Sequence, residues 1–127
     1  MAATTDERIR ELTQRMLRKK FYAVFSTAVA APDAIKEVLP LHLEYMIGLE
    51  KQGLVFASGP LTDEGGEPRG EGLTILRATS AAEARRIAEG DPFFVRGLRT
   101  FAVKEWTVME GTVGLTVNLS DQSIGFA

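Results

Sequence analysis

The segment Phe21-Tyr22-Ala23-Val24-Phe25-Ser26-Thr27-Ala28 is apolar almost without interruption. A strand of that composition belongs in the middle of a sheet with both faces covered, so this chain must fold into something that supplies cover on two sides. The following residues show where one cover comes from. After the break at Pro32-Asp33, Pro40 fits as the first residue of a helix, where its missing N–H costs nothing, and Gly53 fits as the left-handed stop. Leu54–Ser58 reads as a second strand closed by Gly59-Pro60, residues 61–71 as a polar loop, and Leu73–Ala78 as a third strand. Ser80-Ala81-Ala82-Glu83 has the form of a capping box and opens a second helix through Ala84, Ile87 and Ala88 to Gly90. Asp91-Pro92-Phe93-Phe94 then leads into a long fourth strand, Thr100–Met109.

Strand, helix, strand, strand, helix, strand is the split βαβ order of a ferredoxin-like α+β sandwich. Its two helices cover one sheet face. The other face needs a cover from outside the fold, and a second copy of the chain is the simplest one, so a homodimer or higher homo-oligomer is expected. Two segments flank this pattern. Residues 5–19 begin with acids, end with bases and carry a stripe of Ile9, Leu12 and Met16, which predicts an amphipathic helix lying on another surface. After Glu110-Gly111, Val113, Leu115, Val117 and Leu119 alternate with polar or small residues, the period of a half-buried strand. A hairpin on the fourth strand and a reach across to a partner both fit it. The expected organisation is a leading helix over residues 1–20, a ferredoxin-like domain over 21–110 and a strand extension over 111–127.

Composition narrows the function classes. The 127 residues suffice for one core, with 45% hydrophobic and 25% charged residues, as in soluble globular domains. A net charge of −2 argues against a nucleic-acid partner, which calls for a basic stripe. The basic cluster Arg15, Arg18, Lys19 and Lys20 falls at the end of the first predicted helix, where cations suit the dipole. Followed by the apolar run it imitates a signal peptide. It sits about 17 residues in, however, behind a charged segment, and the run is too short to span a bilayer. No membrane partner is expected, and the cytoplasm is the expected compartment. The absence of cysteine excludes disulfides, thiolate nucleophiles and Cys-based metal sites. Gly65–Gly72 is glycine-rich but lacks a Lys-Ser/Thr pair, and its acids would repel phosphate. One histidine with scattered carboxylates makes a weak metal site. No cofactor and no metal are expected.

That one histidine, His42, is the only side chain whose ordinary pKa lies near neutrality, and so the first candidate for a general base or acid. On a helix begun at Pro40 it falls in the first turn, among unpaired N–H groups that favour the neutral, proton-accepting ring. Leu43, Met46, Ile47 and Glu50 share one side of that helix, and His42, Tyr45 and Leu49 an adjacent one, at the edge of the buried face. A core-rim histidine bonded to a backbone carbonyl fits the same residues.

Pro40-Leu41-His42-Leu43, Ala57-Ser58-Gly59-Pro60 and Glu89-Gly90-Asp91-Pro92-Phe93 occur in the order and approximate spacing of the YCII-related domain, which the chain resembles over roughly residues 20–110. The resemblance implies a dimeric α+β barrel, two ferredoxin-like sheets face to face, which would supply the missing cover. It implies likeness in fold to muconolactone isomerases. Its members include a dehydrochlorinase acting on a chlorinated hydroxyhydroquinone and many proteins with no assigned reaction. The family's suspected His–Asp active site, carried over, falls on His42 and Asp91. The leading helix departs from the family pattern, which begins at its first strand.

In that pairing Asp91 would fix the tautomer of His42 and stabilise its charged form. Taken alone, Asp91 before Pro92 reads as a turn residue capping Pro92–Val95. Ser58 would be an auxiliary donor to a substrate oxygen, with no sign of an activated nucleophile. Phe93, Phe94, Phe25, Tyr45 and Met46 are candidate walls of an apolar pocket; Arg96 and Arg99 are candidate anchors for an anionic substrate, with a solvated ion pair as the plainer role. The expected function is a small cofactor-independent enzyme of lyase or isomerase type, using His42 for proton transfer on a small cyclic or aromatic metabolite. The alternative is a non-catalytic module for ligand binding or oligomerisation.

Overall fold

The structure, a computed structural model, describes residues 2–126. In chain order its elements are α1 (Thr5–Thr13), β1 (Lys19–Ala28), α2 (Pro32–Lys51), β2 (Val55–Thr62), β3 (Pro68–Leu76), α3 (Ala81–Glu89), α4 (Pro92–Val95), β4 (Arg99–Val108), β5 (Leu115–Asn118) and β6 (Ser123–Phe126). Residues 20–107 form one unit, and the residues before and after them form another.

In the larger unit the strand order is β2-β3-β1-β4, so the apolar strand β1 lies inside the sheet, as its composition requires. β3 is antiparallel to both β1 and β2. β1 and β2 therefore run parallel with β3 between them, the split βαβ of the ferredoxin-like fold. Register decides what each face carries. Tyr22 opposes Leu76, and Val24 opposes Thr74, which in turn opposes Ser58; these point to the helix side. Tyr22, Val24 and Leu76 are buried there with Ala84 of α3, and Ile87, Ala88, Phe101 and Val103 pack around them. The intervening residues Phe21, Ala23 and Phe25 point the other way. Phe21 packs on Phe56 at 5.1 Å and on Trp106 at 6.5 Å between ring centroids, while Phe25, Phe56 and Trp106 remain substantially exposed on that face.

Four local expectations change. The helix carrying His42 starts at Pro32, not Pro40: Pro32 takes the first helical position, Asp33 gives an acidic first turn, and Pro40 lies within the helix. Its end is as expected, with Gly53 at φ +78°. β2 does not stop at Gly59-Pro60 but runs through them to Thr62. It is an edge strand, where a proline that lacks an N–H leaves no ladder bond broken. The polar loop shrinks to a hairpin turn around Asp63, whose Oδ1 accepts the backbone N–H of Gly65 at 2.9 Å and of Glu67 at 3.0 Å, while Oδ2 pairs with Arg69. The capping box at Ser80 is half formed: Ser80 Oγ accepts Glu83 N–H at 3.1 Å, but the Glu83 carboxylate is taken by the Thr79 hydroxyl.

In the smaller unit the leading helix is shorter than the sequence predicts, ending at Thr13. Its start is at Thr5 as expected, closed by a full capping box between the N-cap Thr4 and Glu7. Arg15 and Arg18 therefore lie beyond the helix, and Lys19 and Lys20 belong to β1, where Lys20 pairs with Glu105 at 3.4 Å. The alternating tail folds as β5 on β6, a two-stranded sheet of its own, with Leu115 opposite Phe126 and Val117 opposite Ile124. Among the described residues no helix is long and apolar enough to cross a membrane.

Candidate active site

Extending α2 back to Pro32 changes the setting of His42. It sits near the middle of the helix, so the exposed N–H groups of a helix start do not act on it. Val38, His42, Tyr45 and Leu49 recur at spacings of four, three and four and form the inward face, with Val38 and Leu49 buried. His42 is thus central to that face rather than at its edge. Leu43 and Ile47 are exposed.

The partner of His42 is Asp91. His42 Nδ1 lies 2.7 Å from Asp91 Oδ2, with 22% and 20% of the two side chains exposed. The other carboxylate oxygen, Oδ1, accepts the backbone N–H of Phe93 at 2.9 Å and caps α4. Asp91 is therefore both turn residue and histidine partner, one oxygen for each. Pro92 at the first helical position and the capped N–H of Phe93 fix the carboxylate, and Phe93, buried, stacks on the imidazole at 4.5 Å with 25° between planes. With Asp91 ionised, Nδ1 is the protonated nitrogen, and the lone pair resides on Nε2.

Both residues line a cavity of about 670 Å³ between α2 and the helix side of the sheet. Its wall includes Tyr45, Met46, Phe93, Phe94 and Ser58, five of the residues singled out from sequence. Tyr45 donates its hydroxyl to the Ile87 carbonyl at 2.6 Å. Burial, and secondarily the Asp91 charge, raise its pKa from the ordinary 10.0, so it is a neutral wall residue. Ser58 Oγ lies 2.7 Å from Thr74 Oγ1, its cross-strand neighbour, giving a hydroxyl pair on the sheet side of the cavity. Phe94 packs on Phe101 at 4.9 Å.

Two expectations are not met by position. Phe25 belongs to the opposite sheet face, where Lys104 Nζ lies 5.6 Å from its ring, and it is not part of the cavity wall. Arg96 is exposed at the end of α4 and is not in the wall either. Arg99 is the arginine in the cavity. Its Nε donates to Ser26 Oγ at 2.6 Å, and one Nη donates to the carbonyls of Gly70 at 2.9 Å and Ser26 at 3.2 Å. Burial lowers its pKa, opposed by the Asp91 charge. The signal that separates the two arginines is period: Arg99, Phe101 and Val103 alternate onto the helix side of β4, whereas Arg96 precedes the strand. Thr74 was missed altogether; its alternation with Leu76 would have placed it. Among the described residues no three His, Asp or Glu side chains gather as a metal site would need.

The YCII-related domain matches residues 20–107. Among solved structures, the 5-chloro-2-hydroxyhydroquinone dehydrochlorinase from Burkholderia phenoliruptrix AC1100, in complex with 2,5-dihydroxybenzoquinone, is similar to this chain. The TM-score is 0.55 at 22% identity, covering 68% of this chain and 93% of that one. The likeness is one of fold. No curated protein matches.

Proposed function

The chain belongs to the YCII-related domain family, and from that premise we propose that it is a small enzyme using His42 as base and then acid on a small cyclic or aromatic compound, without a cofactor. The supporting observation is the 2.7 Å contact between His42 Nδ1 and Asp91 Oδ2 in the wall of a roomy, largely apolar cavity. Nε2 takes a proton from a ring hydroxyl or an acidic carbon. The Asp91 carboxylate, held by the α4 cap, stabilises the imidazolium that forms. Return of the proton to another atom completes an isomerisation. Expulsion of halide by the released electron pair completes an elimination instead, the class of reaction that the dehydrochlorinase of similar fold is named for. The Ser58–Thr74 hydroxyl pair would serve as auxiliary donor to a substrate oxygen. Phe93, Phe94, Tyr45 and Met46 bound the ring.

Association into a homodimer through the open sheet face belongs to the same proposal, as does a cytoplasmic location. The test uses chlorinated hydroxyhydroquinones and related hydroxylated rings as substrates. His42→Asn should lower kcat by roughly 10²- to 10⁴-fold, the usual contribution of a general base, with an unchanged melting curve. An unaltered rate removes the base. Binding with no turnover by the unmodified protein favours the ligand-binding alternative.

A further inference from the structure

The guanidinium of Arg99 is half committed. Nε and one Nη are spent on Ser26 and on the Gly70 and Ser26 carbonyls; the other Nη has no hydrogen-bond acceptor among the described residues. Among the described residues no carboxylate lies within ion-pair distance of it either, although exposed surface arginines such as Arg8 and Arg69 have theirs. Three neutral acceptors hold the group in one orientation, and the Asp91 charge acts on it across the cavity without forming an ion pair. The group is partly withdrawn from water and lines the cavity that His42 and Asp91 line. Phe93 ties the two together: it stacks on His42 at 4.5 Å, and the Arg99 Cζ lies 5.8 Å from the same ring. The imidazole and the guanidinium therefore pack about one buried ring and border the same cavity.

A fixed, partly desolvated cation with spare N–H donors binds an anionic oxygen far better than a neutral one. We infer that Arg99 is the substrate-anchoring and specificity-determining residue, and that the substrate class is a planar ring bearing an ionised oxygen: a phenolate, an enolate or a carboxylate. This rests on the proton-transfer reading of the site and adds the charge of what is bound. The free edge of Arg99 holds the ionised oxygen, and the remaining ring positions face His42 Nε2 and the Ser58–Thr74 pair. Negative charge that develops on the ring when His42 removes a proton is spread toward Arg99, so the anchor also favours the transition state. The cavity's other carboxylates, Glu50 and Glu71, are exposed, where water screens their repulsion of an anion.

The probe is 2,5-dihydroxybenzoquinone, a vinylogous acid ionised at neutral pH, against its 2,5-dimethoxy ether, which has the same ring and no acidic proton. Titration calorimetry on the full chain should show the anion bound at least about tenfold more tightly than the ether, as a charge-assisted hydrogen bond provides. Arg99→Gln should erase that preference and leave ether affinity within about twofold; Arg99→Lys should recover part of it. Equal affinity of the unmodified protein for the two compounds overturns the inference even if the arginine variants fail to fold. So does failure of both to bind below about 1 mM, or an Arg99→Gln protein that keeps the preference. Loss of preference in Arg99→Gln with an unaltered rate in His42→Asn sustains the anchor and removes the base instead.

Discussion

Asp91 shows how much chemistry one short side chain can organise. Its two oxygens separate two roles that substitution can tease apart. Asp91→Asn keeps an oxygen for the α4 cap and removes the charge, so activity should fall by about 10²-fold or more while stability changes little. Asp91→Ala also removes the cap and should lose about a further 1 kcal/mol in denaturant unfolding. A second close arrangement lies beside it. A Cβ on Gly90 would meet the Tyr45 hydroxyl oxygen at 2.5 Å, so Gly90→Ala must displace that ring and its bond to Ile87. A loss of about 1–3 kcal/mol is expected, and a smaller one when Tyr45→Phe is already present, since the atom in the way is then gone; a double-mutant cycle measures the difference. At this scale the sequence was partly legible. A lone histidine pointed to itself, and the family resemblance pointed to Asp91. The choice of Arg99 over Arg96 depended on where β4 begins, because one step of register along a strand moves a side chain to the other face.

At the scale of elements, the order of strands and helices was readable, and the punctuation was not. Pro40 looked like a helix start and Pro60 like a strand end, because proline lacks a donor in either setting. The edge position of β2 removes the penalty at Pro60. At Pro40 the helix carries it, and the earlier start at Pro32 was signalled only by Asp33 and by Ile35 and Val38 at helical spacing. Pro40→Ala supplies an N–H for the carbonyl one turn earlier, and its intrinsic helix preference is about 3 kcal/mol better, so a higher unfolding midpoint is expected. The β2–β3 turn carries a pH prediction. Hydrogen bonds from Glu67 N–H, then Arg69, then Gly65 N–H hold the Asp63 carboxyl below its ordinary 3.8. The stabilisation is present above 3.8 and is lost as pH falls through the lower folded-state value. Amide shifts of Gly65 and Glu67 followed by NMR should titrate with a midpoint below 3.8; a midpoint at or above it removes the carboxylate from the turn.

For the whole molecule, the unfinished surface is the sheet face opposite the helices, where Phe56 and Trp106 are 45% and 44% exposed. The proposed homodimer buries it. Sedimentation should then give twice the 13.9 kDa chain mass, and Phe56→Glu should shift the protein toward monomer. Because Trp106 is the only tryptophan, its emission should move to the red on dilution or in that variant. The need for this cover was legible in the run Phe21–Ala28. The folding of the tail on itself was not, since alternation marks a strand without naming its neighbour.

The path of β2 through Gly59-Pro60 has one more consequence. A sheet with an open apolar face and an open edge is exposed to two kinds of self-recognition, one that closes on a single partner and one that adds strands without end. Pro60 sits on the β2 edge with no hydrogen to offer, so a strand arriving there meets an interrupted ladder. Growth along the edge is discouraged, while stacking across the face is untouched. Replacing Pro60 would therefore be felt first in how the protein keeps at high concentration, as a drift from discrete particles toward fibrous material.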